Sequence, residues 1–87
     1  MMYQVMWHKD AVQDLKKLDR KTASSIVNKV EEYLVQDPLN LGKLLKGNFK
    51  GFFRYRMGKF RIIYTIQETR LLVLVLKVGK RDEVYDE

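Results

Sequence analysis

Residues 52–66 read FFRYRMGKFRIIYTI, and this stretch decides the fold. Apolar and basic side chains alternate before Gly58-Lys59, which suits a tight two-residue turn, and residues 60–66 indicate a second strand, which together predict a β-hairpin. Such a turn sets Arg56 directly opposite Arg61. Because side chains alternate along a strand, one face of the hairpin is apolar and suits a core, and the other face gathers these two arginines with Arg54.

The opposed pair of arginines needs an explanation. Like charges directly across a strand pair destabilise a sheet, so a sequence selected only for stability would avoid Arg56 opposite Arg61. The pair is explained if this face receives a phosphate group, because a guanidinium offers planar bidentate donors and stays charged at any working pH. The alternative reading of the same residues is three surface arginines that splay apart in water.

Outward from the hairpin, the chain predicts helices before it and a strand after it. Residues 3–7 indicate a short strand, and apolar positions at helical spacing predict one helix from Lys9 and a second that ends near Gln36, because Pro38 disfavours helix before it. Residues 39–50 are a lysine-bearing connector. Residues 71–78 are apolar on both faces and predict a central, buried strand that ends at Gly79. Two antiparallel helices packed on a sheet are expected.

The composition narrows the class of protein. A chain of 87 residues is expected to be one domain, residues 1–87, and the absence of cysteine excludes disulfides and thiolate chemistry. The basic region carries neither a carboxylate pair nor a Gly-rich phosphate loop, so no metal and no cofactor are expected. The N-terminus lacks the layout of a signal peptide and no apolar run could span a bilayer. A cytoplasmic protein without membrane association is therefore expected.

The charge is concentrated in one part of the chain. Residues 1–40 carry six basic and six acidic side chains, residues 41–81 carry eleven basic and one acidic, and residues 82–87 carry four acidic. The net charge of +10 over residues 41–81 suits a polyanionic partner such as RNA, DNA, an acidic protein or an anionic membrane. Charge alone does not separate these partners from an ordinary solvated surface.

Three stretches resemble the signature of RelE toxins in the RelE/ParE superfamily. They are Leu45-Lys46-Gly47, the hairpin motif FRYR and GKFRIIY at residues 53–56 and 58–64, and the closing motif VGKRDEVY at residues 78–85. The closing motif favours the RelE branch. The resemblance implies an α+β fold of two N-terminal antiparallel helices packed on a small, mostly antiparallel β-sheet. It also implies a toxin that cleaves mRNA in the ribosomal A site, with the RNA 2′-hydroxyl as nucleophile and a 2′,3′-cyclic phosphate as product.

The resemblance also implies roles for individual residues. Arg61 matches an arginine that stabilises the transition-state phosphate, Arg81 an arginine near the scissile phosphate, and Tyr85 a tyrosine that stacks on a base. Arg54 and Arg56 stand where one type of family member has two lysines that act as base and phosphate clamp. This is a departure, because arginine hardly loses its proton and neither residue is a credible general base.

Further side chains are predicted to bind RNA, to cap a helix or to lie in the core. Those expected to bind RNA are Lys43, Lys46, Lys50, Phe52, Lys59 and Lys80, although a solvated connector explains any one of the first three equally well. His8 is expected to cap the first helix rather than to catalyse. Trp7 and Tyr33 follow the apolar patterns of their elements and are expected in the core.

The expected partners are an acidic antitoxin protein, mRNA and the ribosome, with DNA reached only indirectly through the antitoxin. Two alternatives stay open. A ParE-like inhibitor of DNA gyrase would share the fold and the hairpin without cutting RNA, and a basic module could bind RNA or an antitoxin without any activity. The closing motif favours the endoribonuclease, whereas the missing lysine base favours the inactive module.

Overall fold

The computed structural model describes residues 2–80 and contains one five-stranded sheet. Its strands are β1 (Gln4–Trp7), β2 (Lys43–Leu44), β3 (Phe53–Met57), β4 (Phe60–Gln67) and β5 (Leu72–Lys80), in the spatial order β1-β5-β4-β3-β2. Only β1 and β5 are parallel; the other neighbours are antiparallel. The predicted α+β class with a mostly antiparallel sheet is confirmed.

Two helices near the N-terminus pack on one face of the sheet, as predicted. α1 spans Lys9–Lys16 and α2 spans Arg20–Glu32. His8 caps α1 by accepting a hydrogen bond from the Asp10 amide on Nδ1 at 3.1 Å, which confirms its structural role. Asp19 caps α2 by accepting from the Thr22 amide at 3.2 Å, and hydrogen bonds from Thr22 lower the pKa of the Asp19 carboxyl.

The core lies between these helices and the inner face of the sheet. Its buried members are Ala11, Ile26, Val30, Leu34, Ile62, Tyr64, Val73, Val75 and Val78. Trp7 packs against them and donates from Nε1 to Glu31 at 3.2 Å. The prediction that Tyr33 lies in the core is wrong: it is 43% exposed. The reason is its position at the C-terminal end of α2, where the helix tightens into a 3₁₀ turn.

The connector between the helices and the hairpin is more structured than its composition predicts. Pro38 occupies the first position of a short helix, α3 (Pro38–Leu41), where its missing N–H is harmless. Tyr64, buried in β4, donates to the Pro38 carbonyl at 2.7 Å, and burial raises the pKa of its phenol. Gly42 lies so close to this hydroxyl that a β-carbon would collide with it. These contacts hold the connector against the sheet.

A second, smaller cluster covers part of the outer face of the sheet. Leu45 and Ile63 are buried there, with Phe49, Phe52 and Leu76 packed around them. The Leu45 amide donates to the Phe52 carbonyl at 2.9 Å, which closes the loop at residues 45–52. This loop therefore folds over the same face of the sheet that carries the arginines.

Candidate functional site

The β3–β4 hairpin positions the arginines in the predicted register. Met57 pairs with Phe60 and Arg56 pairs with Arg61. Gly58 turns the chain with φ of 58°, a left-handed conformation that glycine adopts without strain. The inner face of the hairpin packs on the core, so the alternation places Arg54, Arg56 and Arg61 together on the outer face.

Burial distinguishes the three arginines from one another. Arg61 is 3% exposed and Arg54 is 8% exposed, whereas Arg56 is exposed. Arg61 lies on the interior strand β4, between Arg56 and Gly79, and a glycine neighbour leaves room for a guanidinium. Sequence alternation alone does not predict this difference. The loop at residues 45–52 covers Ile63, which pairs with Arg54. A cation removed from water acts more strongly on a nearby anion than an exposed cation does.

The predicted RNA-binding lysines are all exposed, but they do not all lie on the arginine face. Lys43 in β2 pairs directly with Arg54. Lys46 and Lys50 lie on the loop that covers the outer cluster, and Lys59 is in the hairpin turn. Lys80 pairs with Phe60 and therefore lies on the helix-facing side of the sheet, not on the arginine face. Phe52, expected to stack on a base, is half-buried and packs beside Leu45 and Ile63, so part of its ring serves the outer cluster.

The end of β5 differs from the prediction and matters for the site. Gly79 does not end the strand; it pairs with Arg61, and β5 continues to Lys80. The strand therefore leads the chain to a position directly beside the buried arginine. Arg81 and Tyr85, the two site residues predicted from the closing motif, lie outside the described residues.

One side chain that positions this region was not predicted. Asp14 of α1, with 11% of its side chain exposed, accepts a hydrogen bond from the Val78 amide at 2.9 Å, and its other oxygen is 3.4 Å from Lys77 Nζ. β1 stops opposite Val75, so beyond that point the edge of β5 is joined to α1 by this carboxylate. The two residues are 64 positions apart, and no local pattern in the sequence predicts their contact.

The arrangement is suited to stabilising negative charge. Three guanidinium groups on one face provide many fixed donors for phosphate oxygens, but none of them can act as a general base at neutral pH. Among residues 2–80, no group of three or more His, Asp or Glu side chains is placed to hold a metal ion. No helix in the same range is long and apolar enough to cross a bilayer.

Comparison with known proteins identifies the class. Residues 5–85 match the family described as the ParE toxin of the type II toxin–antitoxin system parDE. The chain is 32% identical to toxin RelG of Mycobacterium tuberculosis over 85 residues, covering 98% of each chain, and 30% identical to toxin RelE of the same organism over 83 residues, covering 95% of this chain and 86% of the relative.

Similar solved structures support the same class of protein. The RelBE2 toxin–antitoxin complex of M. tuberculosis contains a chain with a TM-score of 0.89 at 30% identity, with 95% of both chains covered. Isolated RelE of Escherichia coli shares the fold, with a TM-score of 0.72 at 23% identity, over 95% of this chain and 90% of that one. The fold and the family match define a toxin of a type II toxin–antitoxin system. Within that class, the chain belongs to the RelE/ParE superfamily and is a toxin of the RelE type.

Proposed function

We propose that this toxin is a metal-independent endoribonuclease that cleaves mRNA in the ribosomal A site and is held inactive by an acidic antitoxin. The observation that carries the proposal is the Arg56–Arg61 pair, held in register with Arg61 buried beside Gly79. A like-charged pair costs stability, and the cost is offset when a phosphate with developing negative charge lies between the two guanidinium groups.

The proposed reaction uses the RNA as its own nucleophile. The 2′-oxygen attacks the adjacent phosphorus, the bond from phosphorus to the 5′-oxygen breaks, and a 2′,3′-cyclic phosphate remains. The proton of the 2′-hydroxyl leaves to a base and the 5′-oxygen gains a proton. Arg61 and Arg81 would stabilise the extra charge on the phosphate, while Arg54 and Arg56 clamp it and Tyr85 stacks on the neighbouring base.

Arg54 and Arg56 stand where some relatives have lysines, and this changes which catalytic effects can contribute to the rate. Arg54 and Arg56 cannot take the proton, so fixed charge and in-line geometry contribute a larger share of the rate. The neighbouring lysines Lys46, Lys50, Lys59 and Lys80 are the side chains from which a base could come. The burial of Arg54 fits a clamp that is already fixed before RNA binds.

The antitoxin is proposed on charge and on the relatives. Solved structures of similar toxins include complexes with RelB antitoxins, and the net charge of +10 over residues 41–81 suits an acidic partner. A segment of that partner lying across the basic half of the toxin would block RNA.

Toeprinting on a translating ribosome tests the proposal. Added toxin should produce new 5′ ends within the codon in the A site, and Arg61→Ala should abolish them. The family model that matches the chain is named for ParE, so gyrase supercoiling is measured in parallel. An intact transcript with inhibited supercoiling would replace this proposal with the ParE-like function, and an intact transcript with normal supercoiling would leave the inactive binding module.

A further inference from the structure

Two surface cavities open at the end of the molecule where α1 ends, α2 begins and the hairpin turns. One, of about 450 Å³, lies between the end of α1 and the end of β5, with Lys17, Lys77 and Phe60 in its wall. The other, of about 350 Å³, lies between α2 and the hairpin, with Lys21, Lys59 and Phe60 in its wall. The half-buried Phe60 is common to both, so the two cavities adjoin at this side chain.

This end of the molecule is more basic than the sequence suggests. Residues 1–40 have no net charge, but their acidic and basic side chains are not equally available here. Asp14 is largely buried and is bound to the Val78 amide and to Lys77, whereas Asp19 accepts a hydrogen bond from the Thr22 amide but stays exposed and keeps its charge. Lys17 and Lys21 are exposed and face the cavities. Folding thus adds lysines of the neutral half to the basic field of the hairpin.

We infer that this surface, which we call the lysine end (Lys17, Lys21, Lys59 and Phe60), binds single-stranded RNA that continues from the arginine face. The inference rests on the proposed function and extends it to nucleotides that flank the cleaved bond. The Met57–Phe60 pair adjoins the Arg56–Arg61 pair in the hairpin but lies on the helix-facing side of the sheet. An RNA strand would therefore pass from the arginine face to the lysine end around the hairpin turn, where the exposed Lys59 lies.

The chemistry of the lysine end fits an unpaired RNA strand better than a protein. Single strands are held by cations that follow the phosphates and by aromatic side chains that stack on the exposed bases. Here Phe60, whose half-buried ring packs partly on the core, lines both cavities together with lysines. Each cavity is also within the size range of small-ligand sites, so a single nucleobase could enter.

Binding of non-cleavable RNA tests the inference separately from catalysis. The probes are 2′-O-methyl oligonucleotides of three and of about twelve nucleotides, titrated by fluorescence anisotropy against the full chain over a range of salt. The test variant is the double change Lys17→Ala and Lys21→Ala; the matched control is Lys9→Ala with Arg70→Ala, which removes the same charge at exposed positions away from both cavities.

For the longer probe, the slope of log affinity against log salt should be smaller by about 1.4 in the test variant, since each phosphate contact on a single strand contributes about 0.7. The short probe, which only fills the arginine face, should bind as it does to the parent, and the control should behave as the parent with both. An unchanged slope, an equal loss in the control, or no binding of the longer probe by the parent would overturn the inference. If the test variant bound the antitoxin more weakly while its slope of log RNA affinity against log salt stayed as in the parent, the surface would be assigned to an acidic protein instead. Failure of cleavage in the toeprinting experiment would refute the proposed function without affecting this measurement.

Discussion

Arg61 carries a positive charge with only 3% of its surface exposed, and it faces a second arginine across the strand pair. Arginine is rarely buried to this extent unless a specific interaction requires it. Its position on the outer face, opposite Arg56, is what the proposed role in binding a phosphate requires. This reasoning leads to different expectations for the two members of the pair.

Substitution of Arg61 should abolish toxicity. Losing one preorganised donor to a transition state costs about 10²–10³ in rate, so we expect Arg61→Ala and Arg81→Ala each to end growth arrest. Growth after induction at matched expression is the measurement, with circular dichroism to verify folding. Arg70→Ala, which removes the same charge in the β4–β5 turn, is the control. Toxicity equal to that of the parent in both site variants would show that the site is misplaced.

Substitution of Arg56 should have the opposite effect on stability. Removing one of two opposed like charges should raise the free energy of unfolding by about 0.5 kcal/mol while activity falls. Urea denaturation of Arg56→Ala beside the parent measures this, and adding salt should shrink the difference because screening weakens the repulsion in the parent. A clear loss of stability at low salt would mean that the pair does not repel.

Gly42 should tolerate no side chain. A β-carbon there would collide with the hydroxyl of Tyr64, which is fixed by its hydrogen bond to the Pro38 carbonyl. We expect Gly42→Ala to lower the free energy of unfolding by about 1–3 kcal/mol, as overpacking of a dense core does. Thermal denaturation gives the comparison, with Ser24→Ala on the exposed side of α2 as a neutral control. An unchanged melting temperature would show that the connector moves aside.

At the scale of elements, the sequence was most informative where neighbours in the chain are neighbours in space. The hairpin register follows from the alternation around Gly58, and the two helices follow from apolar spacing and from His8 as a cap. The short helix at Pro38 and the two-residue strand β2 were not predictable, because the long-range contact of Pro38 with Tyr64 secures the first and pairing with β3 defines the second.

The same distinction holds for the site. Alternation was sufficient to bring the three arginines to one face, but it did not predict their unequal burial. Gly79, the neighbour of the buried Arg61, belongs to a strand that is remote in the sequence. The extension of β5 past Gly79 likewise depends on pairing with β4 and on Asp14. An element that forms because of contacts distant in the sequence has no local sequence pattern from which it could be predicted.

Asp14 should couple the helix layer to the end of β5. In Asp14→Ala the Val78 amide loses its acceptor, and the free energy of unfolding should fall by about 1–3 kcal/mol. Asp14→Asn keeps an oxygen acceptor and should retain most of the stability. Hydrogen exchange at the Val78 amide is the direct readout and should accelerate in the alanine variant. If the Val78 amide exchanged as slowly in Asp14→Ala as in the parent, the carboxylate would be dispensable. Because Gly79 pairs with Arg61, the alanine variant should also cleave RNA more slowly.

At the scale of the whole molecule, the decisive property is the separation of charge. The chain carries a net charge of +6, but residues 41–81 alone carry +10, and the fold adds Lys17 and Lys21 at the end next to the hairpin. A single basic surface that serves RNA would also be the surface that an inhibitor must cover. RNA and the antitoxin would therefore compete for the same basic side chains.

Association with an acidic antitoxin should consequently be steered by charge. Complementary potentials raise association rates mainly, and salt screens them over about 8 Å at physiological ionic strength. We expect the on-rate, measured by stopped-flow or surface-based kinetics, to fall steeply as salt rises, while the off-rate changes little. The double change Lys43→Ala and Lys46→Ala, at exposed positions beside the arginine face, should lower the on-rate and its salt dependence, whereas Lys9→Ala with Arg70→Ala should lower them less. An on-rate insensitive to salt would exclude steering and leave apolar contacts to account for recognition.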